Sequence, residues 1–191
     1  MPLVHGTSMM NNQGGGMREI RTNRLILRSF KESDYDDLFE FLSQLEDDEF
    51  EGYTGITYEN GREYLNYRIE SDAFYAMELL NSKKVIGNIY YGRREYDARE
   101  VGYIVNKHFQ RKRYATEALS AVIEKAFNEG VHRVFVECDP QNVPSWKLLE
   151  KVGLRREVHF KQNIFFHKDE NRNPIWKDTF VYAITAEDYC I

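Results

Sequence analysis

The sequence predicts a mixed α/β (α+β) domain, a mixed sheet with helices on its faces, and three observations carry that prediction. Strand-like and helical segments follow one another in the order β-α-α-β-β-β-α-β-α-β-β, so an antiparallel meander is joined to β-α-β crossovers. Hydrophobic residues make up 42% and charged residues 30% of 191, which suffices for a buried core of one domain. From Ile20 onward the patterning is continuous, with no internal repeat and no linker to divide it.

The first segment, residues 1–17, is polar and Gly-rich (Gly14, Gly15, Gly16). It is expected to be a flexible leader, an alternative start or an expression remnant, leaving 18–191 as a single domain. Arg24-Leu25-Ile26-Leu27-Arg28 is an apolar strand flanked by charge. Ser33 is expected to cap the next helix, with Asp34, Asp36 and Asp37 in its first turn, where carboxylates favour the helix dipole. Leu38, Phe41, Leu42 and Leu45 continue it at helical spacing. A second helix is expected over 58–71.

Strands follow at 73–80, 85–91 and 100–105, with Asn81-Ser82-Lys83-Lys84 and Arg93 to Asp97 as the turns of a meander. The next helix, 116–129, has Ala118, Leu119, Val122, Ile123 and Ala126 on one face and Gly130 to end it. After the short strand 134–136, Pro144 and Ser145 open a helix that Gly153 stops. Two more strands, 156–166 and 179–185, close the chain.

Composition excludes several function classes. No apolar run approaches the ~20 residues of a membrane helix. With 26 basic and 31 acidic residues the net charge is −5, so nucleic acid is not the expected partner. Cys138 and Cys190 are too few for a disulfide framework, and free thiols fit a reducing cytoplasm. The five histidines are scattered without i, i+4 pairing, so no metal is expected. Gly-x-Ser-x-Gly and Gly-x-x-x-x-Gly-Lys are both absent, which removes the common hydrolase and P-loop readings.

The chemistry concentrates in Val105 to Leu119, VNKHFQRKRYATEAL, where a strand ends, a basic turn follows and a helix begins. Helix N-termini present unpaired N–H groups and partial positive charge, which suits a pyrophosphate. Lys107, Arg111, Lys112 and Arg113 add cations there. On charge alone a solvated basic turn fits as well.

This stretch resembles the acetyl-CoA-binding motif of the GNAT acetyltransferase superfamily, Gln/Arg-x-x-Gly-x-Gly/Ala, through Gln110, Ala115 and Thr116-Glu117-Ala118-Leu119. Arg113 stands at the central glycine position and Arg111 where this branch often has another. Glycine would let backbone approach phosphate closely; Arg113 must instead point away or reach the phosphates with its guanidinium. Four further segments resemble the branch named for ribosomal-protein-alanine N-acetyltransferases. They are Thr22 to Arg28 with Ser33-Asp34; Glu100-Val101-Gly102-Tyr103; Asn142-Val143-Pro144-Ser145 with Glu150 to Leu154; and Trp176-Lys177-Asp178 with Tyr182.

The resemblance implies a GNAT-like, mostly antiparallel central sheet with two splayed parallel strands at the acetyl-CoA site. It implies direct acetyl transfer from acetyl-CoA to an amine. The backbone of Ile104 and Val105 would hold the pantetheine arm and polarise the thioester carbonyl. Backbone amides across Arg111, Lys112, Arg113, Tyr114, Ala115 and Thr116 would hold the pyrophosphate, and Asn142 the pantetheine. Glu100 is the candidate general base, through a water; its alternative is a strand carboxylate paired with a surface cation. Where many relatives have a tyrosine acid this chain has Leu149, so Ser145 is the candidate acid, with a helix-capping role as the alternative. Homodimers occur among relatives, and nothing in the sequence identifies an interface.

Between Glu32 and Glu51 ten of twenty residues are acidic. In the resembled fold this region, with Glu51, lines the acceptor cleft and suits a cationic amine, with Phe50, Tyr53 and Tyr58 as candidate walls; a solubilising face, and packing for the aromatic residues, are the bland alternatives. An α-amine of pKa ~7.7–8.0 is roughly 10–15% neutral at pH 7, whereas lysine at ~10.4 is about 0.04% neutral. That difference of ~3.5 kcal/mol favours an α-amine, of a peptide or a small molecule, as acceptor. The alternative function is a GNAT-fold module that binds CoA or a partner without turnover.

Overall fold

The computed structural model describes residues 18–46 and 48–189; the expected leader, Asp47 and Cys190 lie outside them. The strands are β1 (Ile20–Arg21), β2 (Leu25–Arg28), β3 (Phe74–Leu79), β4 (Val85–Arg94), β5 (Ala98–Val105), β6 (Arg133–Cys138), β7 (Arg155–Ile164) and β8 (Lys177–Thr185). The helices are α1 (Tyr35–Ser43), α2 (Gly61–Glu70), α3 (Tyr114–Asn128), α4 (Val143–Lys151) and the short α5 (Ala186–Tyr189). The strands form one sheet in the order β1-β2-β3-β4-β5-β6-β8-β7, antiparallel throughout except for the β5–β6 pair. This is the mixed, mostly antiparallel sheet with a parallel pair that the sequence predicts.

Apolar periodicity decides which face each helix covers. Leu119, Val122 and Ile123 of α3 and Leu149 of α4 pack with Leu27, Met77, Ile89, Val101 and Val134 on one face. Leu38, Phe41 and Leu42 of α1 and Leu65 of α2 pack with Ala76 and Val85 on the other. Truncating any of these fully buried leucines to alanine costs ~2–5 kcal/mol. Gly130 and Gly153 end α3 and α4 with φ of +79° and +94°, a backbone that side chains disfavour.

At three helix starts the structure departs from the sequence expectation for a local reason, and β4, β5 and β6 run longer than the expected 85–91, 100–105 and 134–136. Ser33 is exposed and does not cap α1; a 3-10 turn, Glu32–Asp34, leads in, and Asp34 accepts the Lys31 amide at 2.8 Å. Asp34 is buried with Arg28, whose guanidinium donates to both its oxygens (2.7 and 2.9 Å) and to Glu78 (2.6 Å). The second helix starts at Gly61, because the Asn60 side chain closes a turn onto the Thr57 amide and the Gly55 carbonyl. α3 starts two residues early, at Tyr114, with Arg113 as its N-cap.

Candidate active site

The β5–β6 ladder consists of Ala98↔Arg133, Arg99↔Val134 and Glu100↔Phe135, and stops there. Beyond Glu100, β5 stays paired with β4 as far as Val105, while its other edge has no strand beside it. A backbone edge with free N–H and C=O groups, opening between two parallel strands, can hydrogen-bond an extended ligand. Ile104 and Val105, both half-buried, form the end of that edge.

The chain continues into a loop fixed from three sides. Asn106 is fully buried; its side chain accepts the His108 amide (3.0 Å) and Gln44 Nε2 (3.1 Å) and donates to Glu40 (2.8 Å). Gln110 donates its side-chain amide to the Val105 carbonyl at 3.0 Å, bracing the strand end. Arg24 donates to the Lys112 carbonyl (3.0 Å) and to Glu117 (2.7 Å), with its guanidinium 4.3 Å from the Tyr114 ring centre. Glu117 also accepts the Thr22 hydroxyl and the Arg24 amide. Burial pushes its carboxyl upward, but these hydrogen bonds outweigh that and hold it below its ordinary value.

Arg111 and Arg113 have φ of +57° and +65°, the left-handed conformation that the motif's glycines would adopt freely. The loop therefore keeps the glycine backbone path with arginines on it, and both side chains are exposed without a partner among the described residues. The first intrahelical bond runs from the Glu117 amide to the Arg113 carbonyl at 3.1 Å, so the Tyr114, Ala115 and Thr116 amides have no intrahelical acceptor. Unpaired amides, a helix dipole and two free guanidiniums fit a pyrophosphate.

Across the opening, Asn142 caps α4 by accepting the Ser145 amide through its side chain at 3.2 Å. That leaves the Ser145 hydroxyl out of the capping role. Its Oγ lies 2.8 Å from the Tyr103 phenol oxygen, and it is also the polar neighbour of the Cys138 thiol. Burial pushes both Tyr103 and Cys138 up to about 12, so each stays protonated at neutral pH. Neither was singled out from sequence as a site residue. The two-residue period of Glu100 to Val105 carried the signal for Tyr103, since it shares a face with Val101 and Val105 and points toward α4.

Glu100 sits elsewhere. It occupies the alternate face of β5, at the last rung where β5 and β6 are still paired, and Arg94 holds its carboxylate in an ion pair. Most of the acidic run is likewise engaged in the fold rather than lining a cleft. Asp34 pairs with Arg28, Asp37 and Glu40 with Lys84, and Glu49 with Lys177, while Asp36 accepts the Tyr58 hydroxyl.

Glu51 is the exception. Its loop runs from Phe50, which lines a small cavity with Cys138, Ile164 and Phe166, to Tyr53, whose phenol accepts from Arg68 at 3.1 Å. No described residue donates a hydrogen bond to the Glu51 carboxylate. Burial, and then the Asp48 carboxylate, push its pKa up to about 7, and its charge is felt by both Tyr53 and Tyr103. No group of metal-ligating side chains occurs among the described residues, and no described helix is long and apolar enough to cross a membrane.

A splayed parallel pair running into a helix N-terminus defines a class of acyl-transferring enzymes, and the comparisons agree. The profile of the Acetyltransferase (GNAT) domain matches residues 24–155, and the chain belongs to that family. It is 31% identical over 176 residues to the "Uncharacterized N-acetyltransferase YnaD" of Bacillus subtilis, covering 89% of this chain and 98% of that protein. The crystal structure of a GNAT-family acetyltransferase from Bacillus anthracis superposes with a TM-score of 0.80 at 28% identity, covering 89% of this chain and 99% of that one. A ribosomal L7/L12 alpha-N-protein acetyltransferase in complex with coenzyme A shares the fold at 17% identity, with a TM-score of 0.74 over 88% of this chain and 98% of that one. The protein is an N-acetyltransferase of the GNAT family, for which the family implies acetyl-CoA as cosubstrate.

Proposed function

We propose that the protein transfers acetyl directly from acetyl-CoA to a primary amine, either a peptide N-terminal α-amine or a small amine of similar basicity. The observation that carries this reading is the open edge of β5 leading into the unpaired amides of Tyr114 to Thr116. The pantetheine lies along Ile104 and Val105, with Asn142 opposite, and the pyrophosphate sits on the backbone from Arg111 to Thr116 with Gln110 bracing the strand end. Arg111, Lys112 and Arg113 supply positive charge to the phosphates.

The Ser145 hydroxyl, backed by Tyr103 at 2.8 Å, supplies the proton that the departing thiolate takes up. The acceptor's own proton goes to a carboxylate, for which Glu100 and Glu51 are the two candidates. An α-amine is favoured because it needs about 3.5 kcal/mol less deprotonation than lysine, and one protein that shares the fold is a ribosomal L7/L12 alpha-N-protein acetyltransferase. The free thiol of Cys138 fits a reducing, cytoplasmic setting.

Calorimetric titration with acetyl-CoA, followed by an amine screen that starts with free-N-terminal peptides, tests the reading. One-to-one saturable binding and release of CoA thiol with an amine are expected. A folded protein that binds no acetyl-CoA would overturn it.

A further inference from the structure

We infer that Glu51, rather than Glu100, is the carboxylate that takes the proton from the acceptor amine; the inference rests on the acetyl-transfer reading above and names the base within it. The two residues differ in what holds them. The Glu100 carboxylate is neutralised by Arg94 and lies on the β5 face opposite Tyr103, three residues or about 10 Å of strand before it.

Glu51 has no cation and no hydrogen-bond donor among the described residues. Its neighbour Phe50 lines the same small cavity as Cys138, the thiol beside Ser145, Tyr53 two residues on accepts from Arg68 of α2, and its charge reaches the Tyr103 phenol that holds Ser145. The charged and titratable groups around it are Asp48 on its own loop, Tyr53 with Arg68 behind it, Tyr103 from β5, and Lys177 from β8, which contacts Phe50 and pairs with Glu49 and Asp139. Burial first, and then the Asp48 carboxylate, make Glu51 hold a proton more tightly than an ordinary carboxylate does. A base whose pKa of about 7 matches the working pH transfers protons most effectively, and it also matches the α-amine it would deprotonate.

The ammonium gives one proton to Glu51, which passes it to solvent after turnover. The freed lone pair forms the N–C bond to the acetyl carbon, the C–S bond breaks, and its electron pair stays on sulfur. Nitrogen's second proton leaves to solvent, and Ser145 delivers its proton to sulfur and regains one from solvent, so the products are the amide, CoA thiol and one net proton released.

The test uses the whole protein, acetyl-CoA and a peptide with a free N-terminal alanine, with CoA thiol release followed from pH 5.5 to 9. In the wild type kcat/KM is expected to rise through a midpoint near 7. Glu51→Gln is expected to lose that limb and about 10²-fold in kcat/KM, with the calorimetric Kd for acetyl-CoA unchanged; Glu100→Gln keeps the limb. Persistence of the limb in Glu51→Gln, with its loss in Glu100→Gln, would overturn the assignment. Carbon-13 titration of the Glu51 carboxyl in the ligand-free protein gives a readout independent of any substrate. A midpoint near 7 is expected, and one in the ordinary carboxylate range would overturn the inference even where acetyl transfer stands. Failure of the wild type to bind acetyl-CoA would instead overturn the transfer reading on which it rests.

Discussion

Replacing Arg113 by glycine separates two things that one residue does in the phosphate loop. Its backbone is left-handed, with φ of +65°, which costs a residue bearing a Cβ ~1–2 kcal/mol. Glycine removes that cost but gives back up to ~1 kcal/mol through the larger entropy of its unfolded chain. The net gain is ~0.5–1 kcal/mol, or about 1–3 °C in Tm for a chain of this size. The guanidinium is exposed and unpartnered, so its contact with a phosphate is of the weak, solvent-screened kind, worth ~0.4–1 kcal/mol. Arg113→Gly is therefore expected to raise Tm slightly while weakening acetyl-CoA binding about two- to fivefold at low salt. At ~1 M salt, where the screening length is ~3 Å, the affinity gap should close. Differential scanning fluorimetry and calorimetric titration at two salt concentrations measure both numbers. Tighter binding by the glycine variant would refute the reasoning, because it would mean that the arginine side chain obstructs the phosphate. A lowered Tm would refute the strain argument.

Four further outcomes are expected. Arg28→Met leaves Asp34 and Glu78 buried without their shared cation and should cost ~3–5 kcal/mol in urea unfolding. Ser145→Ala should lower kcat about 10²-fold with acetyl-CoA Kd within about twofold, and Tyr103→Phe, losing one hydrogen bond of ~1 kcal/mol, should lower it about fivefold. Leu149→Tyr restores the tyrosine of other relatives at a fully buried position, so it should destabilise by ~1–3 kcal/mol and fail to rescue Ser145→Ala. Glu117, whose carboxyl is held below its ordinary value, stabilises the loop fully above the unfolded-chain value of ~4.3 and loses that contribution as pH falls below it; hydrogen exchange of the α3 start at pH 3 and 6, beside Glu117→Gln, measures this.

The order of elements was legible because each strand and helix covers one face of one sheet, so its apolar residues keep a single period. Even the short strand at Val134-Phe135-Val136 announces itself that way, and it proves to be the middle of a six-residue strand, Arg133–Cys138. The phosphate loop was legible for a different reason: helix-terminus chemistry is local, and Gln110 to Thr116 contain nearly all of it. The acidic run was not legible. Whether Asp37 meets Lys84 or Asp34 meets Arg28 depends on residues 47 and 6 positions away in sequence, and a count of carboxylates carries no record of their partners. Glu51 was readable as a cleft residue, but its proton affinity is set by what surrounds it in three dimensions. The cation of Glu100 was hidden as well: Arg94 faces it only because β4 and β5 pair in the register Arg94↔Ala98, Gly92↔Glu100.

The clamp between Thr22, Arg24 and Glu117 supplies the molecule with an optical-bench convenience: a spectator wired to the site. The Arg24 backbone amide donates to Glu117 Oε1 at 2.8 Å, while the same residue's guanidinium holds the Lys112 carbonyl. That single amide resonance, held by the residue that also holds the loop, should move whenever the loop is loaded or emptied. Cofactor occupancy can then be followed in the intact protein without a label, a coupled enzyme or knowledge of the acceptor.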